Sequence, residues 1–200
     1  MDIYITRHGQ TEWNLINKIQ GHLDSPLTTK GRADAKKLGL RLRDKNIDLA
    51  YSSDLKRAID TAEIILGSRE KVRPLKALRE IGVGKWEGML YEDIERNYLE
   101  KFKAYKTDPE SYEPTPGGET FKEFEKRVRD FVEDLKAEDY ESILIVTHGL
   151  TYMMLLNIFE GKDLKEISKR KLPAGTSLSH IEYKDGNFNI IEENCLEHLS

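Results

Sequence analysis

The chain has 200 residues, 38% of them apolar and 34% charged, with a mean hydropathy of -0.63 and a formal net charge of -4. That length allows one domain burying roughly two-thirds or more of its unfolded surface without a disulfide or cofactor; no apolar run reaches the ~18 residues of a membrane span, and the charge gives no overall attraction to nucleic acid or anionic membrane. The single cysteine, Cys195, excludes an intrachain disulfide framework and a thiolate zinc cluster, and with no basic-plus-apolar leader before the first strand the expected location is the cytoplasm.

In chain order, a strand is predicted at 2–6, a helix at 28–44, a strand at 48–52, a helix at 54–66 with Asp54 as its N-cap, and a strand at 71–74. The pattern then loosens between residues 82 and 118, passing Gly84, Trp86, Gly88, Pro109, Pro114, Pro116 and Gly117-Gly118. A polar helix at 91–105 lies inside this excursion, which has the character of a lid or binding loop. A helix at 120–138 follows, opened by a Thr120/Glu123 capping box and carrying Phe121, Phe124, Val128, Phe131, Val132 and Leu135 on one face as core. The chain finishes with a strand at 142–147, a helix at 150–159, and strands at 177–183 and 188–192 joined by an Asp185-Gly186 turn. Alternation of strands and helices predicts a single α/β domain over 1–200: a three-layer sandwich with a mostly parallel central sheet, helices on both faces and an antiparallel pair at one edge. That edge also offers a place for two copies of the chain to pair.

Two strands end in the same dipeptide. Ile3-Tyr4-Ile5 runs into Arg7-His8-Gly9, and Ile143 to Val146 runs into Thr147-His148-Gly149. Adjacent in one parallel sheet, they would deliver both imidazoles to one crevice at the strands' carboxyl ends. A neutral imidazole is a competent nucleophile toward phosphorus, and guanidinium groups beside it lower its pKa while orienting phosphate oxygens. Arg57 falls in the first turn of its helix, where a cation opposes the dipole unless an anion sits there; the alternative is a solvated side chain paired with Asp60 or Glu63. Glu80 stands at the entrance to the excursion, placed to protonate a leaving oxygen, although glutamate is common on surfaces. The five histidines show no HExxH or HxH spacing, and there is no Walker-type phosphate loop.

The run Arg7-His8-Gly9-Gln10-Thr11-Glu12-Trp13-Asn14 resembles the signature of the histidine phosphatase superfamily, phosphoglycerate mutase-like branch. Gln20-Gly21, Asp24 to Thr28 with Gly31, Ser52 to Ala58 with Thr61-Ala62, Leu78-Arg79-Glu80, Gly84 to Gly88, Pro116 to Glu119 and Val146 to Gly149 continue the likeness in order. The resemblance implies a phosphoglycerate mutase-like fold and metal-independent hydrolysis of small phosphomonoesters without a cofactor. It implies that His8 takes the phosphoryl group, Arg7, Arg57 and His148 hold it, and Glu80 donates the proton, with Asn14, Gln20, Gly21 and Gly149 lining the substrate site. Mutases of this family carry an arginine pair in the excursion, whereas here no arginine lies between Arg96 and Arg127. That departure favours a hydrolase similar to α-ribazole phosphatases or broad-specificity phosphatases. The alternatives are a 2,3-bisphosphoglycerate-dependent phosphoglycerate mutase and a non-catalytic phosphate-binding module.

Overall fold

In the computed structural model, which describes residues 1–200, the elements run β1 (Asp2–Arg7), α1 (Glu12–Leu15), α2 (Thr29–Leu42), β2 (Leu49–Ser53), α3 (Lys56–Leu66), β3 (Val72–Leu75), α4 (Tyr91–Asn97), α5 (Leu99–Thr107), α6 (Phe121–Lys136), β4 (Ser142–Thr147), α7 (Gly149–Phe159), β5 (Leu178–Lys184) and β6 (Asn187–Cys195). One six-stranded sheet has the order β3-β2-β4-β1-β5-β6. The first four are mutually parallel and the last two antiparallel, as the alternation and the Asp185-Gly186 turn predict.

Period-two alternation divides the core. Ile3, Ile5, Ile143 and Ile145 face the larger cluster, built with α6, α7 and the excursion. Tyr4, Leu144 and Val146 face the smaller one under α2 and α3. All six residues of β4 are buried, the pattern of a central parallel strand covered on both faces. The Thr120/Glu123 capping box forms, and every apolar position predicted on α6 is buried. No helix is long and apolar enough to cross a membrane.

The excursion leaves and returns at adjacent points. Glu119 donates its backbone N–H to the Gly82 carbonyl at 2.7 Å, while its carboxylate accepts the Gly82 N–H at 2.7 Å. Trp86, fully buried, is ringed by Tyr98, Phe102, Tyr105 and Tyr112 with centroids 5.8 to 5.9 Å away. The same segment corrects one expectation. The helix predicted over 91–105 is two helices, broken at Tyr98 (φ -138°, ψ 39°), whose N–H closes the first on the Ile94 carbonyl and whose carbonyl opens the second by accepting the Phe102 N–H, each at 2.8 Å.

Candidate active site

β1 and β4 are neighbours with Arg7 opposite Thr147, so the two His-Gly ends lie side by side. The His8 N–H donates to the Thr147 carbonyl at 2.8 Å, and the imidazole centroids are 5.2 Å apart. The turn after β1 also passes hard against α2: a Cβ on Gly9 would lie 2.7 Å from the Gly31 carbonyl oxygen, so that position admits only glycine without a backbone shift.

The partners of each imidazole fix its proton. His8, 3% exposed, has Nδ1 2.8 Å from the Gly9 carbonyl; a carbonyl only accepts, so Nδ1 carries the hydrogen and Nε2 the free lone pair. His148, 1% exposed, receives the Arg57 Nε–H on Nδ1 at 3.2 Å, so its hydrogen is on Nε2, which has no partner within the protein. One ring therefore presents a lone pair and its neighbour a donor. Burial first, then the charge of Arg57, holds both pKa values well below the usual histidine value; Arg7 adds to the effect on each, and His8 to that on His148.

Arg57 is 1% exposed and spends most of its guanidinium on the protein. Beyond His148, Nη1 donates to the Leu23 carbonyl (2.6 Å) and Asp24 Oδ1 (2.8 Å), and Nη2 to the Gly21 carbonyl (2.8 Å). Four of its five N–H groups are engaged, which leaves one on Nη2. Arg7 contrasts with it: Nη1 binds the Pro173 carbonyl at 2.8 Å, and the buried Nε has no partner. Burial lowers both arginine pKa values from their very high starting point, and both remain charged.

The residue that reconciles Arg57 with its helix is Asp24. Its carboxylate accepts the backbone N–H of Lys56 (2.8 Å) and of Arg57 (3.3 Å), so it is the anion at the start of α3. This corrects one expectation and decides against one alternative. Asp54 does not cap α3; the cap position is Leu55, and Asp54 makes a bidentate pair with Arg79 at 2.6 and 2.7 Å. The pairing of Arg57 with Asp60 or Glu63 does not form either, because Asp60 holds Lys56 and Arg32.

Glu80 lies at the N-terminus of α7. Oε1 accepts N–H groups of Ile81 (3.1 Å) and Thr151 (3.3 Å), and Oε2 that of Leu150 (3.1 Å). Behind it, Arg127 donates to the carbonyls of Ala77, Arg79 and Glu80, and His22 Nε2 donates to the Glu80 carbonyl at 2.9 Å. A Cβ on Gly149 would lie 2.7 Å from Leu172 Cδ1, while Glu80 Oε2 and Arg7 Cζ would be at ordinary contact distances of 3.5 and 3.8 Å.

A cavity of about 610 Å³ brings together Arg7, His8, Asn14, Gln20, Gly21, Arg57, Glu80, His148 and Gly149, every site residue expected from the sequence. The same cavity is lined by Trp13, Tyr91, Tyr105, Phe121, Met153 and Leu172, with Lys18 over the Trp13 ring, and by Arg170. Leu172, Pro173 and Gly175, from the segment before β5, were invisible in sequence because they belong to no periodic element. Elsewhere, Glu192, Cys195 and Glu197 have ligand atoms within 4.8 Å of one another, but the Arg41 guanidinium occupies this cluster, bonding Cys195 Sγ and both Glu192 oxygens.

Residues 3–196 match the histidine phosphatase superfamily (branch 1). The chain belongs to that family. It is 37% identical over 195 residues to the adenosylcobalamin/alpha-ribazole phosphatase of Salmonella typhimurium, covering 96% of this chain and 90% of that protein. It is 31% identical to phosphoserine phosphatase 1 of Hydrogenobacter thermophilus, covering 82% of this chain and 78% of that one. Among solved structures, Bacillus stearothermophilus YhfR superposes with a TM-score of 0.93 at 35% identity, over 100% of this chain and 99% of that one. The protein is a phosphatase of the phosphoglycerate mutase-like fold.

Proposed function

We propose that the enzyme hydrolyses small phosphomonoesters through a phosphohistidine at His8 Nε2, and that α-ribazole-5'-phosphate is its substrate. The observation that carries the mechanism is the complementary protonation of the paired histidines, a free lone pair on His8 beside a free N–H on His148. In the first step His8 Nε2 forms a bond to phosphorus as the ester P–O bond breaks. Arg7, the one remaining Arg57 N–H and His148 Nε2–H meet the equatorial oxygens, where charge is spread in the transition state. Protonated Glu80 gives its proton to the departing alkoxide. In the second step the Glu80 carboxylate takes a proton from water, the water oxygen bonds to phosphorus, the P–N bond breaks, and phosphate leaves with neutral His8 restored.

The substrate reading rests on the similarity to an alpha-ribazole phosphatase and on the cavity wall. The base of α-ribazole is a flat apolar bicycle, and aromatic and aliphatic side chains line the same cavity as the phosphate-directed histidines and arginines. Hydrolysis rather than transfer is supported by Arg96, the last arginine before Arg127: it is exposed, pairs with Asp93 and is not part of the cavity wall.

The test is phosphate release from α-ribazole-5'-phosphate, phosphoserine and 3-phosphoglycerate with a chelator present, with rapid acid-free quenching to trap the enzyme-bound phosphoryl group. The proposal expects chelator-resistant turnover, highest kcat/KM on α-ribazole-5'-phosphate, and a phosphopeptide containing residue 8 that His8→Ala abolishes. Phosphoryl exchange between phosphoglycerates with little phosphate release would replace it with the mutase reading.

A further inference from the structure

Gln20 is 7% exposed and lies on the cavity wall, next to Gly21, whose carbonyl holds Arg57. Its amide orientation is fixed by a chain of bonds that starts from a backbone N–H. Thr11 N–H donates to Asn14 Oδ1 at 3.0 Å, so that atom is the amide oxygen. The Thr11 hydroxyl, 3.0 Å from the same oxygen, has to donate to it and thereafter only accepts. Gln20 therefore turns its NH₂ to Thr11 Oγ1, at 3.0 Å. Two consequences follow. Asn14 keeps its NH₂ free as a donor, and Gln20 Oε1 is a buried acceptor with no partner in the protein.

A phosphate dianion offers only acceptors, so Gln20 Oε1 is the wrong atom to bind it. Burying an unpaired carbonyl is costly, and that cost is recovered by a ligand that brings a hydrogen. We infer that Gln20 is a specificity residue whose Oε1 accepts a hydrogen bond from a hydroxyl or ammonium group carried by the leaving alcohol near its ester oxygen. The inference rests on the hydrolytic site proposed above and narrows its substrates to phosphate esters of polyols and amino alcohols over plain alkyl esters.

The experiment compares kcat/KM for 2-hydroxyethyl phosphate and propyl phosphate, which differ by a hydroxyl in place of a methyl, in the wild type, Gln20→Met and Gln20→Glu. A single neutral hydrogen bond predicts a wild-type preference for the hydroxyethyl ester of roughly three- to tenfold. Gln20→Met brings that ratio to about one, and Gln20→Glu, which keeps an acceptor, retains a preference and raises it further for phosphoethanolamine. The ratio cancels any general loss from disturbing Thr11. Equal losses on both esters in Gln20→Met, or no preference in the wild type, overturn the inference while leaving the phosphatase reading standing. Turnover of p-nitrophenyl phosphate, which has no such donor, reports on the hydrolytic site itself; a wild-type enzyme inert toward it and both alkyl esters overturns both readings.

Discussion

Replacing His8 with glutamine removes one of two buried imidazoles that the fold keeps uncharged, and its effect on stability depends on pH. In the unfolded chain histidine protonates near pH 6.5. In the folded chain burial, then Arg57 and Arg7, hold His8 well below that value. Between the two values the unfolded state binds the extra proton. Stability is therefore complete above about pH 6.5 and is lost as pH falls, at up to about 1.4 kcal/mol per pH unit for each such histidine. His148 and His198 shift in the same direction and add their own slopes, and lowered carboxylates such as Asp54 and Glu119 act at still lower pH. These cancel when the variant is subtracted from the wild type, apart from the part of the His148 shift that His8 itself causes. Urea unfolding from about pH 7.5 to about pH 5 should thus show the difference moving in favour of His8→Gln by about 1 kcal/mol per pH unit below 6.5. The same cause predicts that kcat/KM of the wild type has no acid limb near pH 6.5, because His8 is already a free base there. Parallel stability curves would refute the reasoning: they would mean that His8 protonates as easily in the fold as in the open chain and is not held as a ready nucleophile.

Glu80→Gln should lower kcat on alkyl phosphates by about 10² to 10⁴ and on p-nitrophenyl phosphate far less, since nitrophenolate leaves without a proton; equal losses in steady-state assays of both would remove Glu80 as the acid. Asp24→Asn leaves the buried Arg57 without its anion, at a cost of about 1–3 kcal/mol by denaturant unfolding, the range being held down because Asp24 is itself part-exposed. With one negative charge fewer beside the site, inorganic phosphate should inhibit that variant at least as strongly as the wild type, and a weaker inhibition constant would show that Arg57 had moved. Lys18 forms no ion pair and lies 4.5 Å over the Trp13 ring on the cavity wall, so Lys18→Ala should cost carboxylate-bearing phosphoserine about two- to fivefold in kcat/KM relative to propyl phosphate. An unchanged ratio would place Lys18 outside the substrate's reach.

The parts of this site legible in the sequence are those delivered by a strand end, because a parallel sheet aligns its carboxyl ends whatever the loops do. Arg7, His8, His148 and Gly149 follow from two apolar runs that stop at His-Gly, and the neighbouring register of β1 and β4 joins them. Arg57 was legible only as an anomaly, a cation in a helix's first turn. The explanation lay 33 residues upstream in Asp24, and no periodicity connects a loop carboxylate to a helix that does not directly follow it. The break at Tyr98 left no mark in the sequence, since residues 91–105 contain no glycine or proline and Tyr98, Phe102 and Tyr105 keep the spacing of one helical face. Chemical polarity is the least legible level. Asn14 and Gln20 carry the same amide and both line the cavity, yet one is left with a free donor and the other with a free acceptor, and what separates them is a single Thr11 hydroxyl with one hydrogen to give. Residue identity thus specifies which groups reach the crevice, while the hydrogen-bond network around them specifies what each can do there.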